Sequence, residues 1–448
     1  MNSKTLFSKT SPLKLFFFAA IPGAIGMLAS ALYQTIDGVF VGQLLGETAF
    51  SAINLAMPFV IINFSLADLI GVGSAVPISV SLGRKQEQEA NNIFTCSCLM
   101  IVGTGVLIGA ILFAAAPLLI SLMGADGTYA DFAVQYIRVY ALCSPVTTII
   151  FALDNYLRIC GYVRGSMVMN ISMSILSAGL EFFFLGILKW GIWAAALATC
   201  SGIFLCALIA FIPFFRKKAL LQFCRPRFST SMLKQIISCG TPNFLNNIAG
   251  RITSILMNAI LVRRGGQTAV SVYGILMYAD GLIQPLLYGM CDSLQPAIGY
   301  NWGAQKYSRV RAIEKCCYTA SGIISILAVF VIALFPVQIT KLFMPDAAGE
   351  ILELSVGALR LFSFTYITRW FSFATQSYML AIEKSRAASI ISVCTALVFP
   401  VLLIVALWPL GLTGIWMNFA GSALLAAVLS AIILIKMRGQ LSQKDVET

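Results

Sequence analysis

The sequence predicts an all-α polytopic membrane protein with twelve transmembrane helices in two six-helix bundles. Three observations predict it. First, 59% of the 448 residues are hydrophobic and only 11% are charged, against about 25% charged in a soluble domain. A soluble chain has no interior large enough to hide that much apolar surface. Second, the apolar residues fall in a dozen stretches, and twelve spans would leave about 37 residues for each span and its loop when about 20 cross the bilayer. Third, landmarks of the first half recur in the second at a nearly constant offset.

The spans follow in order. Residues 13–41 come after Lys4, Lys9 and Lys14, as in a leader peptide, but the run is long and carries Pro22 and Asp37. It therefore reads as the first helix, not as a cleaved signal. Stretches 48–82, 92–122, 130–153, 165–188 and 191–215 complete a first bundle within residues 1–215. A basic linker, 216–234, leads to 235–262, 269–301, 316–343, 352–379, 388–408 and 411–435, a second bundle within residues 235–448. Several stretches exceed 20 residues, which implies tilt or extension beyond the bilayer.

Alternating the loops places 22 Lys and Arg residues on one side, six of them from Arg216 to Lys234, and four on the other: Lys189, Arg263, Arg264 and Lys341. That bias puts both termini in the cytoplasm and requires an even number of spans. It also accounts for the net charge of +12 without nucleic acid as a partner.

At an offset of 220, Pro22 matches Pro242, Gly46 matches Gly266, Met57 matches Met277, Gly83 matches Gly303 and Asp126 matches Asp346. At 222, Tyr156 matches Tyr378 and Arg164 matches Arg386. Six spans separate the copies, so both have the same orientation. A parallel repeat of two bundles about a cleft is a common transporter architecture.

A carboxylate at bilayer depth costs at least roughly 2.5 kcal/mol, so each one is a functional candidate. The first half has Asp37, Asp68, Asp154 and Glu181, whose repeat partners are Met257, Tyr288, Gln376 and Leu403. The scaffold therefore does not require the acids. Ser177 and Glu181, four apart, share a helix face. A cluster of Asp37, Asp154 and Glu181, with oxygens from Asn155, Ser177 and Thr199, suits a proton or sodium, a hard cation. The structural alternatives are that Asp154 pairs with Arg158 one turn on, and that Asp68 faces a polar cavity. Asp280 and Asp292, with Arg251, Arg360 and Arg369, form either ion pairs between helices or a polar wall toward cargo. Tyr366 and Trp370 belong to an aromatic run suited to organic cations, and Met57, Met277 and Met290 offer adaptable apolar surface. With Asp68, Asp280 and Asp292 these are the candidate cargo-binding residues.

Other classes are excluded by what is missing. The chain has no histidine, no C-x-x-C among 12 cysteines and no P-loop, which argues against a membrane enzyme, a resident metal or cofactor and an ATP-driven pump.

The stretch from Gln295 to Arg311, QPAIGYNWGAQKYSRVR, resembles a signature of MATE (multidrug and toxic compound extrusion) transporters, in their MepA-like bacterial branch. IDGVFVGQLLG from Ile36, DNYLRICG from Asp154 and WGIWAAALAT from Trp190 resemble the same family. The resemblance spans nearly the whole chain. It implies two lobes forming a V, and export of cationic drugs against a proton or sodium gradient. The chain is expected to act as a monomer among lipids of the cell inner membrane. The family's helix 1 aspartate falls at Asp37 and its helix 6 threonine at Thr199. Its helix 4 asparagine falls at Asp154, with Asn155 beside it, and its helix 5 Asn-x-x-x-Asp falls at Ser177 and Glu181. Where some members carry a helix 7 acid, this chain has Asn246 and Asn247. The competing expectation is a flippase for a lipid-linked saccharide, which would need a basic cleft.

Overall fold

The computed structural model describes residues 3–344 and 348–446. Asp346, the expected partner of Asp126, lies outside them, as do the side chains of Lys4, Arg438 and Lys444. Among the described residues the chain is helical and has no strand. The first half contains α1 (Ser3–Lys9), α2 (Pro12–Leu45), α3 (Glu47–Gly83), α4 (Glu87–Leu122), α5 (Gly127–Thr147), α6 (Ile149–Ile159), α7 (Val163–Glu181) and α8 (Ile192–Phe215). The second contains α9 (Thr230–Gly303), α10 (Tyr307–Leu334), α11 (Pro336–Phe343), α12 (Gly349–Ser363), α13 (Thr365–Ala381), α14 (Ser385–Val393), α15 (Phe399–Ala406) and α16 (Gly411–Val446).

Among the described residues, ten helical segments are long and apolar enough to cross a membrane, or eleven when the pair Gly349–Ser363 and Thr365–Ala381, bent by 42°, is one span. The predicted twelve is reached only by dividing α9, whose 74 residues contain non-helical Gly266 (φ 59°, ψ −155°). Several other predicted stretches are less regular than expected, including 130–153, which breaks between α5 and α6. Residues 316–343 divide at Pro336, which opens α11 where its missing N–H costs nothing. Residues 165–188 and 388–408 contain the π-helical turns Phe182–Ile187 and Cys394–Val398. The linker is shorter than expected, because residues 230–234 belong to α9, capped where the Ser229 hydroxyl accepts the Met232 N–H at 3.2 Å. The linker is also pinned to α4. Asn91 accepts the Gln222 N–H at 2.9 Å, and Asn92 accepts the Arg227 N–H at 2.7 Å.

The repeat is visible in the backbone. Left-handed residues recur at the two offsets: Gly46 and Gly266 (φ 86° and 59°), Lys85 and Gln305 (64° and 59°), Gly161 and Glu383 (83° and 61°). Lys, Gln and Glu adopt this conformation only at some cost, so a shared turn geometry holds them there.

Packing differs between the two ends of the molecule. At the end away from both termini there are two separate apolar cores. One comes from the first half, around Val41, Tyr136 and Ile192. The other comes from the second half, around Leu261, Phe362 and Trp416. At the end bearing the termini, the halves share their cores: Met232 and Ile236 join Phe94 and Tyr156, while Leu15 and Val72 join Met290 and Leu380. Here α2 and α3 press on α9 through glycines. Gly73 meets the backbone of Ile236 and Gly240, Gly83 that of Tyr300 and Ala304, and Gly303 that of Val80. Arg84 pairs with Glu383 at 3.3 Å across the halves. Asn301 and Arg309 donate to the Phe7 carbonyl at 3.0 and 2.8 Å, which docks α1 on the second half. The halves are joined at one end and parted at the other.

Candidate functional site: a carboxyl pair and two adjoining cavities

Asp37 and Tyr33 lie one turn apart on α2. The Tyr33 hydroxyl is 3.4 Å from Asp37 Oδ1 and 2.8 Å from Thr199 Oγ1 of α8. The Glu181 carboxyl, from the end of α7, lies against that of Asp37. Glu181 is 0% exposed, and neither of its oxygens has a hydrogen bond. Ser177, one turn earlier on the same face, is also buried, with an unpartnered Oγ. Tyr136 and Tyr140 of α5 stand close enough to Asp37 to feel its charge. Among the described residues no Lys or Arg pairs with either acid. Two facing carboxyls without a cation repel when both are ionised.

The structure thus brings Asp37, Ser177, Glu181 and Thr199 together, and adds Tyr33. Tyr33 stands four residues before Asp37, a spacing that marks a shared face.

Asp154 and Asn155 sit elsewhere, which corrects the expectation of one cluster. Asp154 forms an ion pair with Arg158, one turn on. It also accepts from Ser166, and from Asn170 Nδ2 at 2.8 Å. Arg158 is only 1% exposed, so this pair compensates the charge of a buried guanidinium. The Asn155 amide donates to the Phe151 carbonyl at 3.2 Å.

Both residues line a cavity of about 370 Å³ between the halves, together with Asp68, Arg158, Tyr288 and Asp292. Asp292 accepts from Gln295 at 3.0 Å. Among the described residues Asp68 makes no hydrogen bond or ion pair, although Asp292 and Asp154 are near enough to repel it.

A second cavity, about 480 Å³, lies in the second half and shares Asn247 and Tyr288 with the first. Its charged lining is Arg251, Asp280 and Arg369. Asp280 accepts from Arg369 Nη1 at 2.9 Å and from the Tyr366 hydroxyl. Asn246 and Asn247, standing where a helix 7 acid was considered, line the same space. Met277 lines it as well, and so does Phe373, whose ring meets that of Tyr288 edge-on at 3.9 Å.

Four expected cargo residues do not line either cavity. Met290 is inside the shared core and Met57 packs on the first-half core. Tyr366 is buried against Phe362 and reaches Asp280 only through its hydroxyl. Trp370 turns toward α10, edge-on to Tyr318, and donates to the Ile367 carbonyl at 2.9 Å. Apolar character alone does not distinguish a helix face that packs from one that lines a cleft. Arg360, considered for the polar wall, also lines neither cavity.

Comparison with known proteins agrees with this fold. The sequence profile of the MatE family matches residues 22–183 and again 242–405, once in each half. The multidrug export protein MepA of Staphylococcus aureus (strain N315) is 26% identical over 446 residues, covering 97% of this chain and 96% of that protein. MepA of Staphylococcus saprophyticus is 26% identical over 447 residues, covering 98% and 97%. Among solved structures, the outward-facing conformation of a multidrug resistance MATE family transporter of the MOP superfamily superposes with a TM-score of 0.93 at 23% identity, covering 99% of each chain. A MOP superfamily transporter from Pyrococcus furiosus, described as having a binding pocket of reverse polarity, superposes with a TM-score of 0.91 at 23% identity, covering 98% of each. With both halves of this helical membrane protein matched by one profile, the chain belongs to the MatE family.

Proposed function

We propose that this multi-pass membrane protein is a multidrug exporter that moves amphipathic organic cations by alternating access, driven by an inward gradient of protons or sodium. It is a transporter and not an enzyme. The observation that carries the reading is the Asp37–Glu181 pair, two neighbouring carboxyls with which no Lys or Arg pairs among the described residues. One proton shared by the pair, or one sodium held with the oxygens of Tyr33, Ser177 and Thr199, relieves their repulsion. Such a pair is costly unless it is occupied, and that cost couples it to an ion.

The basic loops support an inner-membrane orientation with both termini in the cytoplasm. In that orientation the joined end faces the cytoplasm and the parted end faces outward. Ion entry from outside would neutralise the pair, and closure outside with opening inside would release the ion down its gradient. Cationic cargo would then sit in the cavity between the halves, beside Asp68 and Asp292. Ion and cargo, favouring different states, lower each other's affinity by one common factor. The MepA relatives are named multidrug export proteins, which supports export of drugs. The flippase reading is less well supported, because the cavity between the halves carries three carboxylates against one guanidinium. The chain is proposed to act as a monomer among lipids.

The test is uptake of a fluorescent organic cation into proteoliposomes with an imposed proton or sodium gradient. Gradient-dependent movement supports the proposal. Equal movement with and without both gradients refutes it.

A further inference from the structure

The two adjoining cavities have opposite polarity, and the balance is not an artefact of paired charges. In the cavity between the halves the Asp154–Arg158 pair cancels; Asp68 has no ion-pair or hydrogen-bond partner among the described residues, and Asp292, which accepts from Gln295, also feels the Arg158 charge. In the second-half cavity Asp280 is occupied by Arg369 and Tyr366. Arg251 is left over. Among the described residues it makes no ion pair and no hydrogen bond, and the Tyr273 phenol stands close enough to feel its charge. Arg251 is exposed on the cavity wall, so its guanidinium is open to a ligand, and it offers a planar fork of donors that matches a carboxylate. Arg369 lines the same space, with Asp280 hydrogen-bonded to Nη1 alone. Asn247 and Tyr288 line both cavities, so one elongated ligand can reach both.

We propose that the cavity between α9 and α13 is an anion-accepting subsite in which Arg251, supported by Arg369, takes the carboxylate of a dipolar amphiphile. The ammonium end of that amphiphile lies beside Asp68 and Asp292. The favoured cargo is then zwitterionic, with its charges at opposite ends of an aromatic or apolar body that packs on Tyr288 and Phe373. The inference rests on the reading of this chain as an exporter of amphiphiles and narrows the cargo class.

The test uses two probes with one fluorophore: rhodamine 110, which has a free carboxylate, and its methyl ester rhodamine 123, which has none. Binding to the purified full-length protein is followed by fluorescence anisotropy with no gradient present. Arg251→Gln should weaken the acid by about tenfold or more, as expected for loss of a charge-assisted hydrogen bond, and should leave the ester nearly unchanged. Arg251→Lys should restore part of the loss, and Arg360→Gln, outside both cavities, should change neither probe. On the unaltered protein, benzoate at constant ionic strength should displace the acid and not the ester, a result that depends on no variant folding. Equal loss of both probes in Arg251→Gln, or equal displacement of both by benzoate, overturns the subsite and leaves cation export standing. Binding of neither probe to the unaltered protein overturns both readings.

Discussion

Replacing Gly240 by alanine should open the joined end of the molecule without unfolding it. A Cβ at Gly240 would fall inside the Leu69 carbonyl of α3, and one at Gly73 would fall inside the Ile236 carbonyl of α9. Both obstacles are backbone, so no rotamer change relieves them and the helices must separate. Overpacking of this kind costs about 1–3 kcal/mol. Only the joined state bears that cost, so the ratio of joined to parted molecules should fall roughly 5- to 150-fold. Alanine also favours the helix over glycine by about 1 kcal/mol, in both states alike, so global stability should hardly drop. Arg84 and Glu383 report on the joined state, since their pair bridges the halves at 3.3 Å. With the 12 native cysteines replaced, cysteines at these two positions should be linked rapidly by a short bifunctional maleimide. Gly240→Ala should slow that reaction strongly. The double variant with Gly73→Ala should be little worse, because both substitutions act on one helix crossing. Gly103→Ala, where a Cβ would meet nothing within 4 Å, is the control. An unchanged cross-linking rate in Gly240→Ala would show that the glycine contact does not hold the halves together.

The remaining predictions concern the acids and the topology. Asp37→Asn should express and fold normally yet lose gradient-driven export in proteoliposomes; retained transport would remove Asp37 from coupling. Glu181→Gln should behave likewise, and the double neutral variant should be no worse than the worse single one, because one shared ion is lost only once. Asp154→Asn should differ in kind. It strands the buried Arg158 guanidinium, so thermal unfolding in detergent should show a loss of about 3–5 kcal/mol; undiminished stability would mean that the pair is not structural. Cysteines placed between Arg216 and Lys234 should react with an impermeant maleimide only from the cytoplasm, and those between Gly124 and Asp131 only from outside. The reverse pattern would invert the transport direction proposed for the observed state.

The helical class, the membrane spans and the parallel repeat could be read from the sequence alone. Each depends on local or periodic information: apolar run length, loop charge, and turn residues such as Gly46 and Gly266 that recur because the same backbone turn recurs. The Ser177–Glu181 face was equally legible, since helix geometry places residues four apart on one side. Tertiary packing alone decided which acids meet. Asp37 and Asp154 look alike in sequence, but α7 carries Glu181 to the first, while Arg158, Ser166 and Asn170 enclose the second. Packing likewise placed Met57, Met290 and Trp370 against neighbouring helices and left Phe373 and Arg251 facing a cavity. The physical reason is that in lipid every face of a helix is apolar, so hydropathy no longer marks the inward face. What a side chain touches then depends on how each helix is rotated about its axis, and only the close fit of all the helices together sets that rotation.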